Sequence, residues 1–228
     1  MKTFHDKQFP GESDAYRKAR NKLLEAEINL RRQTEEVAEL RRQLPYSAEV
    51  KEDYFFEEKD KSGKVKNTKL SELFEEGKDS LIIYSYMFGP KNQKPCPMCT
   101  SILDGLNGMV FHAEQRVNIA VVAKTSIDKL TNFTETRGWK NLRLLSSFGN
   151  TYNQDYFGED DKGNQLPILN VFHKDDKGVF HVYGTELLFA PEEKGQNGRH
   201  VDSIWPLWNL FDYTPEGRGT NWYPKLAY

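Results

Sequence analysis

The sequence predicts an α/β fold in which a central mixed sheet is flanked by helices, and three observations carry that expectation. Short apolar runs of strand length alternate with amphipathic segments of helical period, a late hairpin pattern follows them, and 228 residues are enough to bury a core. Hydrophobic residues make up 37% and charged residues 29%, a balance that excludes a disordered or fibrous chain. The formal net charge of -2 offers no basic surplus, so neither nucleic acid nor a membrane is expected as a partner.

Taken in order, the first element is a long helix from Ser13 to Leu44. Tyr16, Leu23, Leu30, Val37 and Leu44 recur at heptad spacing, with Ala19, Ala26 and Leu40 in most intervening sites. Ser13 is its N-cap, after Pro10-Gly11, and Pro45 stops it. The stripe either packs on the chain's own domain or pairs with a second copy as a homodimer; Gln33 at a d site weakens the second option. Met1 is followed by no apolar leader, and no run of about 18 apolar residues occurs. A cytoplasmic location is therefore expected.

Asp53-Tyr54-Phe55-Phe56 and Lys64-Val65-Lys66 flank a charged turn containing Gly63, which reads as a hairpin. Helical turns follow from Thr68 to Phe74. The run from Ser80 to Tyr86 reads as a strand buried on both faces, bounded by Gly77 and Gly89-Pro90. After it come Cys96-Pro97-Met98-Cys99, then Ile102, Leu103, Leu106, Met109 and Val110 at helical spacing, so the cysteines open a helix. A strand from Val117 to Ala123, a helix from Ser126 to Arg137 and a strand from Leu142 to Ser146 complete a right-handed parallel series. Ile168–His173 and Val179–Tyr183 form a hairpin around Asp175-Asp176-Lys177-Gly178. The chain beyond, with Trp205, Trp208 and Trp222, is expected to give one short helix and an extended tail. The expected division is 1–45, a helical extension; 46–190, the sheet domain; and 191–228, a C-terminal extension packed on it.

The two cysteines carry the chemistry. A pair three apart is too close for a long-range staple, and at a helix start the first thiol meets unpaired N–H groups and the positive end of the dipole. Such a site lowers a thiol pKa, which marks Cys96 as the nucleophile. Cys99, one turn deeper, is the resolving thiol. Pro97 sits at the first helical position, where its missing N–H costs nothing, and Lys94 adds positive charge nearby. Metal is not expected, because tetrahedral zinc needs four ligands and His112, His173 and His181 follow no ligand spacing. No cofactor is expected.

A Cys-x-x-Cys pair between a strand and a helix is the redox motif of thioredoxin-like folds. Those folds place a cis-proline before the strand beside the active site, and Pro167 in Gln165-Leu166-Pro167-Ile168 matches that place. Leu166, Pro167, Pro97 and Met98 are thus the expected substrate-binding residues. The stretches YRKARNKLLEAE, RRQLPYSAEVKEDYFF, LIIYSYMFGP, CPMC, SSFGNTYNQDYFG, PILNVFHKDDKGVFHVYG and DYTPEGRG resemble the thioredoxin-like domain of unknown function eight-nine-nine over nearly the whole chain. Members carry the label of dithiol-disulfide oxidoreductases. The resemblance implies thiol/disulfide exchange with a protein or small-molecule substrate. The buried acid of thioredoxins has no counterpart here, which leaves His173 and His181 as candidate proton acceptors for Cys99. Two other readings stand beside this one, a peroxiredoxin-like peroxidase and a non-enzymatic binding module.

Overall fold

The computed structural model describes residues 4–195, 199–217, 219 and 222–227, and it divides into two compact units, Met1–Pro45 and Tyr46–Tyr228. The first holds helix α1 (Asp14–Arg42), 29 residues long. Ser13 caps it, its side chain accepting the Tyr16 N–H at 3.2 Å. Arg17 pairs with Glu12 at the start and Arg42 with Glu39 at the end. No residue of α1 is buried, and Tyr16, Leu23, Leu30, Val37, Leu40 and Leu44 are all exposed. The partly covered apolar positions are Leu24, Ile28 and Ala38, off the heptad row.

The second unit opens with the expected hairpin, β1 (Phe55–Lys59) and β2 (Val65–Lys69). Its turn is held by Asp60, whose carboxylate accepts the N–H groups of Ser62 and Lys64, and by Gly63 at φ 82°, a conformation that favours glycine. A single 3-10 turn, Leu70–Glu72, takes the place of the expected helical turns. Then come β3 (Ser80–Ser85), α2 (Pro97–Ala113), β4 (Asn118–Ala123), α3 (Ile127–Arg137) and β5 (Leu144–Ser146). A four-residue helix, α4 (Tyr152–Asp155), lies between β5 and the late hairpin, where the sequence predicts no element. It is too short to show a period; Asn150 Oδ1 starts it by accepting the Tyr152 N–H, and burial of the Tyr152 ring fixes it. The chain ends through β6 (Ile168–Asp175), β7 (Gly178–Gly184) and α5 (Pro206–Asp212).

The seven strands form one sheet in the order β2-β1-β5-β4-β3-β6-β7. β3, β4 and β5 run parallel, while β6 and β7 run antiparallel to their neighbours. The unit β3-α2-β4 with β6 and β7 added on the far side of β3 is the thioredoxin-like arrangement. Alternation along the strands builds a core on each face. Tyr84, Ile119, Val121 and Ala123 point to the face covered by α2, α3, Trp205 and Trp208. Ile83, Ala120 and Val122 point to the other, against Tyr54, Phe56, Tyr152 and Phe172. Of the described residues beyond 190, Val201, Trp205 and Trp208 lie in the core of this same unit beside α2.

Candidate active site

The site grows from the end of β3. The chain leaves the sheet through Tyr86 and Phe88, both buried, and returns so that the Cys96 N–H donates to the Met87 carbonyl at 3.1 Å. Cys96 is then the N-cap of α2, with extended backbone, and Pro97 takes the first helical position. Two hydrogen bonds anchor this start: Thr100 Oγ1 donates to the Cys96 carbonyl at 2.8 Å, and the Tyr86 hydroxyl meets Thr100 Oγ1 at 2.7 Å. All three residues were placed by the helix start and the buried strand, so the Cys96 sulfur inherits a fixed position.

That position stabilises an anion. The Cys99 thiol, the N–H groups of Cys99 and Met98 and the Tyr223 hydroxyl, 3.7 Å from the sulfur, all face Cys96 Sγ. Together they outweigh the cost of burial and lower the Cys96 pKa to about 6. Neither backbone N–H closes a full capping hydrogen bond, so the anion is held by several partial contacts. Lys94 is exposed and is not among the groups that lower the thiol. Cys99 is 2% exposed, and the neighbouring Cys96 sulfur and its own burial push its thiol well up. Both cysteines are free thiols. Cys96 is thus the more exposed and more acidic of the pair.

A cavity of about 460 Å³ opens over both sulfurs. Met98 and Pro167 line it, while Leu166 and Pro97 do not. The expected cis-proline is corrected, since every described peptide bond is trans, that before Pro167 included. The Leu166 N–H already donates to the Gly158 carbonyl at 2.9 Å and Ile168 is paired with Ser85, so the chain runs extended into β6 and trans, the default form by about 0.5–1 kcal/mol, suffices. The same hydrogen bond occupies the backbone donor that a strand-like substrate would need at Leu166.

The expected proton acceptors are also corrected. His181 Nε2 is held by Asn170 Oδ1 at 2.9 Å, His173 lies against the Tyr46 ring, and neither lines the cavity. Both sit on the hairpin of β6 and β7, whose pleat sends them elsewhere. Tyr84 faces Cys99, and His200 lines the same cavity. The Tyr84 hydroxyl is buried beside Cys99 with no oxygen or nitrogen partner. His200 lines the cavity, its Nε2 buried and unpartnered, and burial lowers its pKa below the usual histidine range. Sequence spacing gave no sign of either, although Tyr84 and Met87 lie within the stretch LIIYSYMFGP. Among the described residues no group of three or more His, Cys, Asp or Glu could hold a metal ion. Among them, too, no helix is long and apolar enough to cross a membrane.

The model of a family described as bacterial proteins of unknown function (DUF899) matches residues 6–228. The chain belongs to this family. No curated protein matches it significantly. Among solved structures, this DUF899 chain is similar to Prx1a of Plasmodium yoelii modified at its N-terminus, at 16% identity and a TM-score of 0.47, over 78% of this chain and 99% of that one. It is similar to peroxiredoxin Q of Xanthomonas campestris at 17% identity and a TM-score of 0.45, over 74% of this chain and 96% of that one. For peroxidoxin BcpB of Mycobacterium tuberculosis the values are 18% and 0.44, over 72% and 95%.

Proposed function

We propose that the protein is a thiol/disulfide oxidoreductase that uses Cys96 as nucleophile and Cys99 as resolving thiol. The observation that carries this reading is the asymmetry of the pair: a half-buried sulfur at a helix N-cap with its pKa lowered to about 6, beside a buried thiol with its pKa raised. At neutral pH the Cys96 thiolate attacks one sulfur of a substrate disulfide. The substrate S–S bond breaks, its electron pair leaves on the departing thiolate, and a Cys96 mixed disulfide forms. The Cys99 thiol gives up its proton and attacks Cys96 Sγ, which releases the second substrate thiol and leaves a Cys96–Cys99 disulfide. Two electrons pass from protein to substrate, and an external dithiol returns them. Such a cycle suits a reducing compartment such as the cytoplasm.

The test is single-turnover reduction of a small disulfide by the dithiol protein, followed by mass spectrometry. Cys96→Ser is expected to abolish the reaction, and Cys99→Ser to accumulate the mixed disulfide on Cys96. Consumption of hydrogen peroxide without reduction of any disulfide moves the assignment to a thiol peroxidase. Inert cysteines in both assays leave a binding module.

A further inference from the structure

Cys96 lies where two unlike clefts meet, and we propose from this that the substrate is a small disulfide with two different ends, an apolar aromatic half and an anionic half. The proposal rests on the exchange reading above and names its substrate class. On one side is the cavity over the sulfurs, walled by Met98, Ile102, Leu188, Trp205, Trp208 and Trp222. At about 460 Å³ it falls in the range of small-molecule sites. Two residues that line it, Trp205 and His200, carry buried side-chain nitrogens without a hydrogen-bond partner, and the Tyr84 hydroxyl beside them faces the Cys99 thiol. Tyr84 and Trp205 are 1% and 3% exposed. Unsatisfied polar atoms are costly in an apolar interior and rare without a reason. The aromatic walls of the cavity suit a ligand with an apolar aromatic body.

On the other side Cys96 borders a second cleft with Lys91, Lys94 and Lys162, Asn92, Asn164 and Gln165, and no carboxylate among its lining residues. Positive charge there favours an anionic half and the thiolate that leaves from it. A protein substrate fits poorly. The Leu166 N–H is already used within the fold, and Tyr223 stands 3.7 Å from the attacking sulfur. In the reaction the Cys96 thiolate bonds to the sulfur of the aromatic half, and the anionic half departs with the electron pair toward the lysines. Cys99 then displaces the aromatic thiolate, which takes up a proton. Overall the protein dithiol is oxidised to its disulfide and the substrate is reduced to two thiols.

The experiment compares dithiobis(nitrobenzoate), which is aromatic and anionic, with dithiodipyridine, bis(hydroxyethyl) disulfide and insulin, each rate divided by that of free dithiothreitol. The nitrobenzoate disulfide is expected to react fastest on this scale and insulin slowest. Trp222 is half-exposed, so Trp222→Ala keeps the fold, and it is expected to lower the ratio of nitrobenzoate to hydroxyethyl disulfide about tenfold. The double variant Lys91→Gln with Lys94→Gln is expected to lower the ratio of nitrobenzoate to dithiodipyridine and to remove its dependence on salt. An unchanged ratio in either variant, or insulin reduced as readily as the aromatic disulfide, overturns the proposal. Calorimetric titration of Cys96→Ser with thionitrobenzoate separates this from failure of the exchange reading. Saturable binding weakened by Trp222→Ala keeps the cavity as a ligand site even if no disulfide is reduced; absence of binding overturns it.

Discussion

Helices α1 and α2 present the same kind of pattern in the sequence and have opposite fates in the structure. α1 has 29 residues and none of them is buried. α2 has 17, and Cys99, Thr100, Ile102, Leu103, Leu106 and Val110 are buried against the sheet. The difference is one of support. Within its own unit α1 is held by its cap and short-range ion pairs, worth a few tenths of a kcal/mol each, whereas α2 is fixed by its buried face. A helix held in that way can hold its own first residue still, and here that residue is Cys96. Fixed N–H groups and a fixed neighbouring thiol are what turn a helix start into a thiolate site.

The largest effect expected from this contrast is at the start of α2. Cys96→Ser should remove all disulfide exchange measured in single turnover, while a serine at any exposed position of α1 should leave the rate unchanged. The next largest concerns support itself. Leu103 is fully buried, and Leu103→Ala should cost about 2–5 kcal/mol in denaturant unfolding. If that variant kept its stability, the account of α2 as a helix fixed by burial would fail.

A smaller effect is expected from pH. With its folded pKa at about 6, below its usual 9.0, Cys96 should be alkylated by iodoacetamide with a midpoint near pH 6. The sign for stability follows from the same shift. Between about 6 and 9 the folded reduced protein binds fewer protons at Cys96 than the unfolded chain, so stability rises with pH across that window and falls as pH drops through about 6. Cys99 is shifted the other way and opposes this only above the usual thiol range. Cys96→Ser should flatten the slope, and an alkylation midpoint above 8 would show that the helix start does not hold a thiolate.

The order of strands and helices, the cap at Ser13 and the place of the cysteines were legible because each rests on local signals: period, cap residue and turn residue. What surrounds the sulfurs was not. Tyr84 reads as one more apolar strand residue, His200 sits in a stretch without period, and Tyr223 reaches Cys96 across 127 positions of sequence. Such contacts depend on how the chain folds back, which spacing does not encode. The isomer at Pro167 and the positions of His173 and His181 failed for a related reason. The proline was inferred from the thioredoxin-like pattern and the histidines from the lack of a buried acid near the pair, and here the Leu166 N–H is used within the fold, Asn170 holds His181 and His173 lies against Tyr46. The heptad stripe of α1 shows a further limit, because a row of apolar residues names a face and not the surface that covers it.

The smallest expected effect tests that row directly. Leu30 is 62% exposed at the middle of α1, so Leu30→Asp removes little burial, and its cost should be near the helix-propensity difference, about 0.5 kcal/mol. Melting should then be nearly unchanged and independent of protein concentration, with the same mass in sedimentation before and after the substitution. A second copy of the chain seated on the stripe changes every one of these readings. An aspartate facing an apolar seam would be desolvated, the variant would fall to half the wild-type mass, and the wild-type melting temperature would rise with concentration. That outcome would break the contrast between the helices, because α1 would then owe its stability to burial as α2 does, with the buried face supplied by another molecule.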